Sequence, residues 1–185
     1  VNVEILLLTY ITLLGAVLGE DMPPGMIRMM EALRGPAGLA LKSGAGPFSW
    51  AASARAYTAR HREWLAADAV RGRLTHEMDA VFSQFDAILA PVAPVTAFAH
   101  DHKAFNRRRL TLSDGAVAPY ASMLGWIALA TACRLPATVL PAGLTTAGLP
   151  VGVQLIGPRS SDAKLLSIAQ AIDENVGGFE APPEL

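Results

Sequence analysis

From Leu135 to Pro158 the chain reads LPATVLPAGLTTAGLPVGVQLIGP, without one charged side chain. Two short apolar runs, Ala137–Leu140 and Val151–Ile156, are each followed closely by proline or glycine. Runs of that length, with β-branched residues and such punctuation, predict buried strands. Gly143–Gly148, two glycines around Leu-Thr-Thr-Ala, is turn chemistry. A stretch this long without charge belongs in a sheet interior rather than a solvated loop. It carries no evident nucleophile, acid or base, so it reads as a scaffold for chemistry placed elsewhere. Gln154 is the polar residue inside the second run; buried there, it must hydrogen-bond, and a bridge to a neighbouring loop is expected.

At 185 residues the chain is long enough for one domain with a sizeable core. It is 52% hydrophobic and 17% charged, which excludes a disordered chain. That apolar share exceeds what a lone domain of this size needs. It implies surface buried against another segment, another chain or a second copy in a homo-oligomer. Fifteen basic against sixteen acidic residues leave no net field to draw in nucleic acid or an acidic membrane surface. Cys133 is the single cysteine, so an intrachain disulfide is excluded and a reducing, cytoplasmic setting is expected. A start at Val1 rather than methionine fits a processed or shortened chain.

Val1–Glu20 is the most apolar region, interrupted by Glu4 and Gly15. It falls short of the roughly twenty residues that span a bilayer, and it predicts a buried helix, not a membrane segment. Asp21-Met22-Pro23-Pro24 opens a second helix to Leu33, which Gly35-Pro36 and Gly38 should end. Ser49 caps the segment from Trp50 to Phe85, one long amphipathic helix with Tyr57, His61, Trp64, Leu74, Met78 and Phe82 on its apolar face and Gly72 as a possible bend. Phe85–Ala90 predicts a strand ended by Pro91. Pro91-Val92-Ala93-Pro94 is then an extended loop at a strand end, the place where open α/β sheets bind ligands. Ala99–Arg109 is a charged surface loop, Asp114-Gly115 a turn, and Tyr120–Cys133 a mostly buried helix. Ser160-Ser161-Asp162 caps a last helix that Gly177-Gly178 stops, before an irregular tail at Ala181-Pro182-Pro183. Strands alternate with helices, so the class is α/β, a mixed sheet covered by helices.

No reactive constellation emerges. Cys133 ends an apolar helix and reads as an inert core thiol. Lys42-Ser43-Gly44 puts a lysine beside a serine, but sequence neighbours rarely converge as nucleophile and base. His100-Asp101-His102 has the residue types of a metal site on a loop that presents adjacent ligands divergently, so no metal and no cofactor is expected. Asp79 and Asp86 read as structural carboxylates, and His61 as a satisfied core histidine. There is no Gly-x-Ser-x-Gly elbow and no phosphate loop.

LPATVLPAGLTTAGLPVGVQLIGPRSSDAKLL resembles the C-terminal region of the amidase-signature family of amide hydrolases. FDAILAPVAPVTA is similar to that family's strand and proline-rich loop, SDGAVAPYASMLGWIALATACRLPATV to its following helix and strand, and GGFEAPPEL to its ending. The likeness runs in order from about Ser49 to Leu185, while residues 1–48 match only as helical chain; together they make one partial domain. The resemblance implies hydrolysis of a carbon–nitrogen amide bond in a small molecule by a Ser–Ser–Lys triad, lysine acting through a bridging serine. No Gly-Gly-Ser-Ser-Gly-like run is present to carry the nucleophile, so no catalytic residue is assigned within this chain. The resemblance places Pro91, Val92, Ala93, Pro94, Thr96 and Trp126 on the wall of the substrate pocket. The implied partner is the N-terminal amidase portion, in cis or in trans. A non-catalytic structural or interaction module that retains half of the fold is the alternative.

Overall fold

The computed structural model describes residues 1–176 and Ala181. Helix α1 (Val3–Leu18) starts where Asn2 Oδ1 accepts the Ile5 N–H at 3.1 Å, satisfying one of the free donors of the first turn. It buries Leu6, Thr9, Tyr10 and Gly15 but exposes Val3, Ile5, Val17 and Leu18, so the expected buried helix is buried on one face only. The physical reason is that α1 meets helices on one side and no described element covers the other. Among the described residues no helix is long and apolar enough to cross a membrane.

Helix α2 (Pro24–Ala32) falls where expected, but α3 (Arg34–Lys42) runs through Gly35, Pro36 and Gly38, which the sequence predicts as breakers. Pro36 lies in the first turn, where the missing N–H has no intrahelical acceptor to lose. The expected helix from Trp50 to Phe85 is two helices, α4 (Trp50–Tyr57) and α5 (His61–Phe82). The break is at Thr58–Arg60, not at Gly72. Thr58 Oγ1 donates to the Ala54 carbonyl at 2.7 Å, and Glu63 Oε2 accepts the Arg60 N–H at 2.8 Å. Side chains thus take over backbone partners at the joint. Ser49 does cap α4, its Oγ accepting the Ala52 N–H at 3.2 Å. A Cβ on Gly15 would sit 2.5 Å from that of Ala56, so glycine is what lets α1 and α4 cross so closely.

Strands β1 (Ile88–Pro91), β4 (Ala137–Leu144) and β5 (Pro150–Ile156) form a sheet in the order β1-β5-β4. β2 (Arg109–Thr111) and β3 (Val117–Pro119) make a separate hairpin around the expected Asp114-Gly115 turn, although the hairpin strands themselves have no clear signal in the sequence. The α/β class holds; within the described residues every pairing is antiparallel, and no parallel neighbour makes the sheet mixed. In place of the single helix expected over Tyr120–Cys133 there is a 3-10 turn over Tyr120–Leu124, a bend through Trp126, and a short α6 (Ala128–Cys133). Helix α7 (Asp162–Val176) closes the described chain; the expected stop at Gly177-Gly178 and the tail at Pro182-Pro183 lie outside the described residues.

Alternation along β5 divides the core. Leu155 faces α7 and packs with Leu140, Leu165 and Ala169. Ile156 points the other way, fully buried among Leu6, Tyr10, Met78, Cys133 and Leu135. The chargeless stretch is therefore sheet interior along the second half of β5. Along β4 it is not: Val139 is 58% and Leu144 68% exposed. β4 is an edge strand, and α7 packs against its Leu140 face, the one position of the strand that is buried.

Candidate functional site

Gln154 is 4% exposed at the centre of β5, between Ala90 of β1 and Val139 of β4. Its Nε2 donates to the Pro91 carbonyl at 2.8 Å and to the Trp126 carbonyl at 3.0 Å. An amide nitrogen has two hydrogens, and both are used. Two acceptors on one side also fix the amide's orientation, because the oxygen turned that way would face like groups. The bridge expected of Gln154 is present, and it spans two elements rather than one. One side chain holds together the strand end that launches the proline loop and the bend that carries Trp126.

The loop itself rests against the sheet. Pro91 is the last residue of β1, paired with Val153, so the strand includes the proline expected to end it. Proline is tolerated there because β1 is an edge strand. Val92, Ala93, Pro94 and Thr96 are half-buried. A Cβ on Gly152 would lie 3.7 Å from the Val92 methyl, an ordinary contact, and 3.3 Å from a Val139 methyl, a tight one, so the loop lies in packing range of β5. Trp126 is 45% exposed, an indole at the surface and not a core aromatic. Pro91, Val92 and Trp126 are therefore brought to one side of Gln154. Carbonyls, an amide and an indole can hydrogen-bond or stack; they neither attack nor take a proton.

The other candidates stay apart. Lys42 and Ser43 lie at the end of α3, away from the clamp. Asp86 pairs with Lys164 at 2.6 Å and Asp79 with Arg159 at 3.9 Å, both as solvent-exposed ion pairs. His61, expected in the core, is exposed at the start of α5, because the break at Thr58–Arg60 resets the helical phase. Cys133 is fully buried; burial pushes its thiol up, against a hydrogen bond with Thr75 and the Arg71 charge. It is an inert thiol. Asp101 is held below the usual carboxylate range chiefly by the Lys103 N–H, at 3.0 Å, and so serves its own loop. His100 and His102 stand edge to face, and among the described residues no cluster of three metal-ligating side chains occurs. A cavity lined by Leu14, Phe48, Tyr57, Tyr120 and Met123 has no signature in the sequence. Its walls come from five separate segments, Phe105 being the fifth, and of the residues named only Tyr57 stands out, as part of an apolar face.

The family model described as Amidase matches residues 42–166. The A subunit of the glutamyl-tRNA(Gln) amidotransferase of Maricaulis maris is 34% identical over 121 residues, 65% of this chain and 22% of that protein. Its counterpart in Geotalea daltonii is 36% identical over 112 residues, 60% of this chain and 21% of that protein. The solved Thermotoga maritima counterpart superposes with a TM-score of 0.53 at 31% identity, covering 86% of this chain and 29% of its own. A solved amidase at 22% identity has the same fold, with a TM-score of 0.56 over 74% of this chain and 30% of that one. The chain thus spans about a fifth of the curated relatives it matches.

Proposed function

From a chain that belongs to the Amidase family, we propose a C-terminal portion of an enzyme that hydrolyses a carbon–nitrogen amide bond. Sheet, pocket wall and helical cover come from this chain. The Ser–Ser–Lys machinery comes from an N-terminal portion, in cis or in trans. The observation that carries the reading is the Gln154 clamp, which presents the Pro91–Thr96 loop and Trp126 together without any reactive group of its own. In this reading the wall stands opposite a nucleophile that the other portion supplies.

In the proposed reaction the outside serine attacks the amide carbonyl while its proton passes through the bridging serine to lysine. The C–N bond then breaks, the amine leaves with a proton, and water releases the acid from the acyl-serine. Here Pro91, Val92, Ala93, Pro94, Thr96 and Trp126 shape and orient the substrate. The apolar outer face of α1 and the exposed β4 edge support docking of the absent portion: Val3 is 63% and Val139 58% exposed. The reading takes one partial domain over residues 1–185 and a cytoplasmic setting, in keeping with a lone buried thiol.

The test is amide hydrolysis by this chain alone, and with an amidase N-terminal segment bearing the serine signature and lysine. The expected result is turnover only with the segment. Turnover by the chain alone that is lost on substitution of Lys42, Ser43 or Cys133 overturns the assignment, because the nucleophile would then lie within this chain. If the chain neither turns over nor gains activity with the segment, the reading that gains is a non-catalytic module that keeps half of the fold.

A further inference from the structure

Between α1, the Pro47–Phe48 loop, α4 and the turn at Tyr120–Leu124 lies a cavity of about 390 Å³. That is the size range of small-molecule sites, of order 300–1,000 Å³. Leu14, Phe48 and Met123 form much of its wall, and among the described residues no Asp, Glu, Lys, Arg or His side chain lines it. A ligand bearing an ammonium or carboxylate would lose its hydration there without finding a counter-charge. An uncharged ligand with a ring or alkyl chain loses nothing comparable and removes apolar surface from water.

The few polar atoms are of the kind an amide needs. Ser53 Oγ donates to the Ser49 carbonyl at 3.1 Å, which leaves its lone pairs to accept an N–H. Tyr57 and Tyr120 bring phenolic hydroxyls that can donate to a carbonyl. The Tyr120 ring is fixed by Phe105, edge to face at 5.4 Å, and by the Arg108 guanidinium, 5.4 Å from its centroid.

The cavity also adjoins the clamp. A Cβ on Gly125 would lie 3.7 Å from the Phe48 ring, and the next residue is Trp126, whose carbonyl Gln154 holds. Cavity and pocket wall thus share the Tyr120–Trp126 segment.

We propose that this cavity receives the uncharged apolar or aryl part of the substrate, which makes that substrate a neutral aryl or alkyl amide and not an amino-acid amide. The proposal rests on the amidase reading for the word substrate, but the binding it asserts needs no catalysis.

Calorimetric titration of the 185-residue chain with butyranilide, a neutral aryl amide, tests it, with L-glutamine as the charged amide. The expected result is saturable one-to-one binding of butyranilide and binding of L-glutamine weaker by about tenfold or more. Ala121→Trp, which fills the cavity from a half-buried position, should weaken butyranilide by about tenfold while the melting curve stays cooperative. If that variant fails to fold, methyl-labelled methionine in the unaltered chain decides, through contacts between the Met123 methyl and the aryl protons. Absent binding, equal binding of L-glutamine, indifference to a folded Ala121→Trp, or contacts only to other methionines overturns the assignment. Since nothing is hydrolysed, those failures leave the proposed reaction standing. Missing turnover with the N-terminal segment, with binding intact, does the reverse.

Discussion

Glu63 in the helical region and Gln154 in the sheet each tie three pieces of chain together, by opposite chemistry. Glu63 accepts from Arg34 at 2.7 and 2.6 Å, from the Arg60 N–H at 2.8 Å and from Arg55. Arg34 also reaches the Thr58 carbonyl, and its Thr58 Oγ1 contact is 2.7 Å, so α3, α4 and α5 meet at one ionic node. Gln154 gives two neutral hydrogen bonds to two carbonyls, joining β5 to β1 and to the bend before α6. The helical node gains strength from charge but responds to pH. The sheet node is weaker and indifferent to pH.

Removing the acid from the first node is the larger perturbation. Glu63→Ala leaves Arg34, 11% exposed at its side chain, without its carboxylate. Stranding a fully buried partner costs about 3–5 kcal/mol, and the partial exposure of this pair lowers the expectation to about 2–3 kcal/mol. Urea unfolding should show the midpoint fall with the slope unchanged. Gln154→Leu leaves the Pro91 and Trp126 carbonyls without their shared donor, an expected loss of about 1–2 kcal/mol by the same measurement. A smaller loss in Glu63→Ala than in Gln154→Leu would mean that the ionic node is not the stronger one.

The two nodes should part most clearly in acid. Burial alone would push Glu63 up; the Arg60 N–H, the Arg34 hydrogen bond and the charges of Arg34 and Arg55 outweigh it and hold Glu63 below its ordinary 4.5. A carboxyl lowered on folding contributes stability that is present above its unfolded value and lost as pH falls through the folded one. The wild type should therefore lose its advantage over Glu63→Gln as pH drops below 4.5. Gln154→Leu should not follow it. It adds and removes no titrating group, so its loss relative to wild type should be the same near pH 7 and near pH 4. Parallel pH trends in the two variants would dissolve the contrast.

How far the sequence reveals each region follows the same divide. Ala137–Leu140, Val151–Ile156 and the Gly143 and Gly148 turns are readable because strand length, punctuation and positive φ are local properties. Gln154's need for partners is readable too, since a lone amide in an apolar strand cannot stay unpaired; which carbonyls it meets is not, because Pro91 and Trp126 are far away in sequence. The joint at Thr58–Arg60 is hidden because Arg34 and Glu63 create it from separate helices. Pro36 misleads because its cost depends on where α3 begins. The exposure of Val139 is hidden as well: apolar residues announce that burial is sought, not which element supplies it.

A third charged contact shows what separates a node from a decoration. Lys164 meets Asp86 at 2.6 Å, as short as the Arg34–Glu63 contact, yet the side chains are 58% and 74% exposed. Solvent screens the pair, and ordering a long lysine offsets what attraction remains. Lys164→Ala should leave the urea midpoint where it was, at low and at high salt. The contact should appear instead in the titration of Asp86, which the Lys164 hydrogen bond and charge hold below the ordinary 3.8. Followed by carboxyl NMR, Asp86 should return to the ordinary value in the variant, with overall stability unmoved. A midpoint loss approaching that of Glu63→Ala would show that a short distance alone, without burial, is enough to hold this fold together.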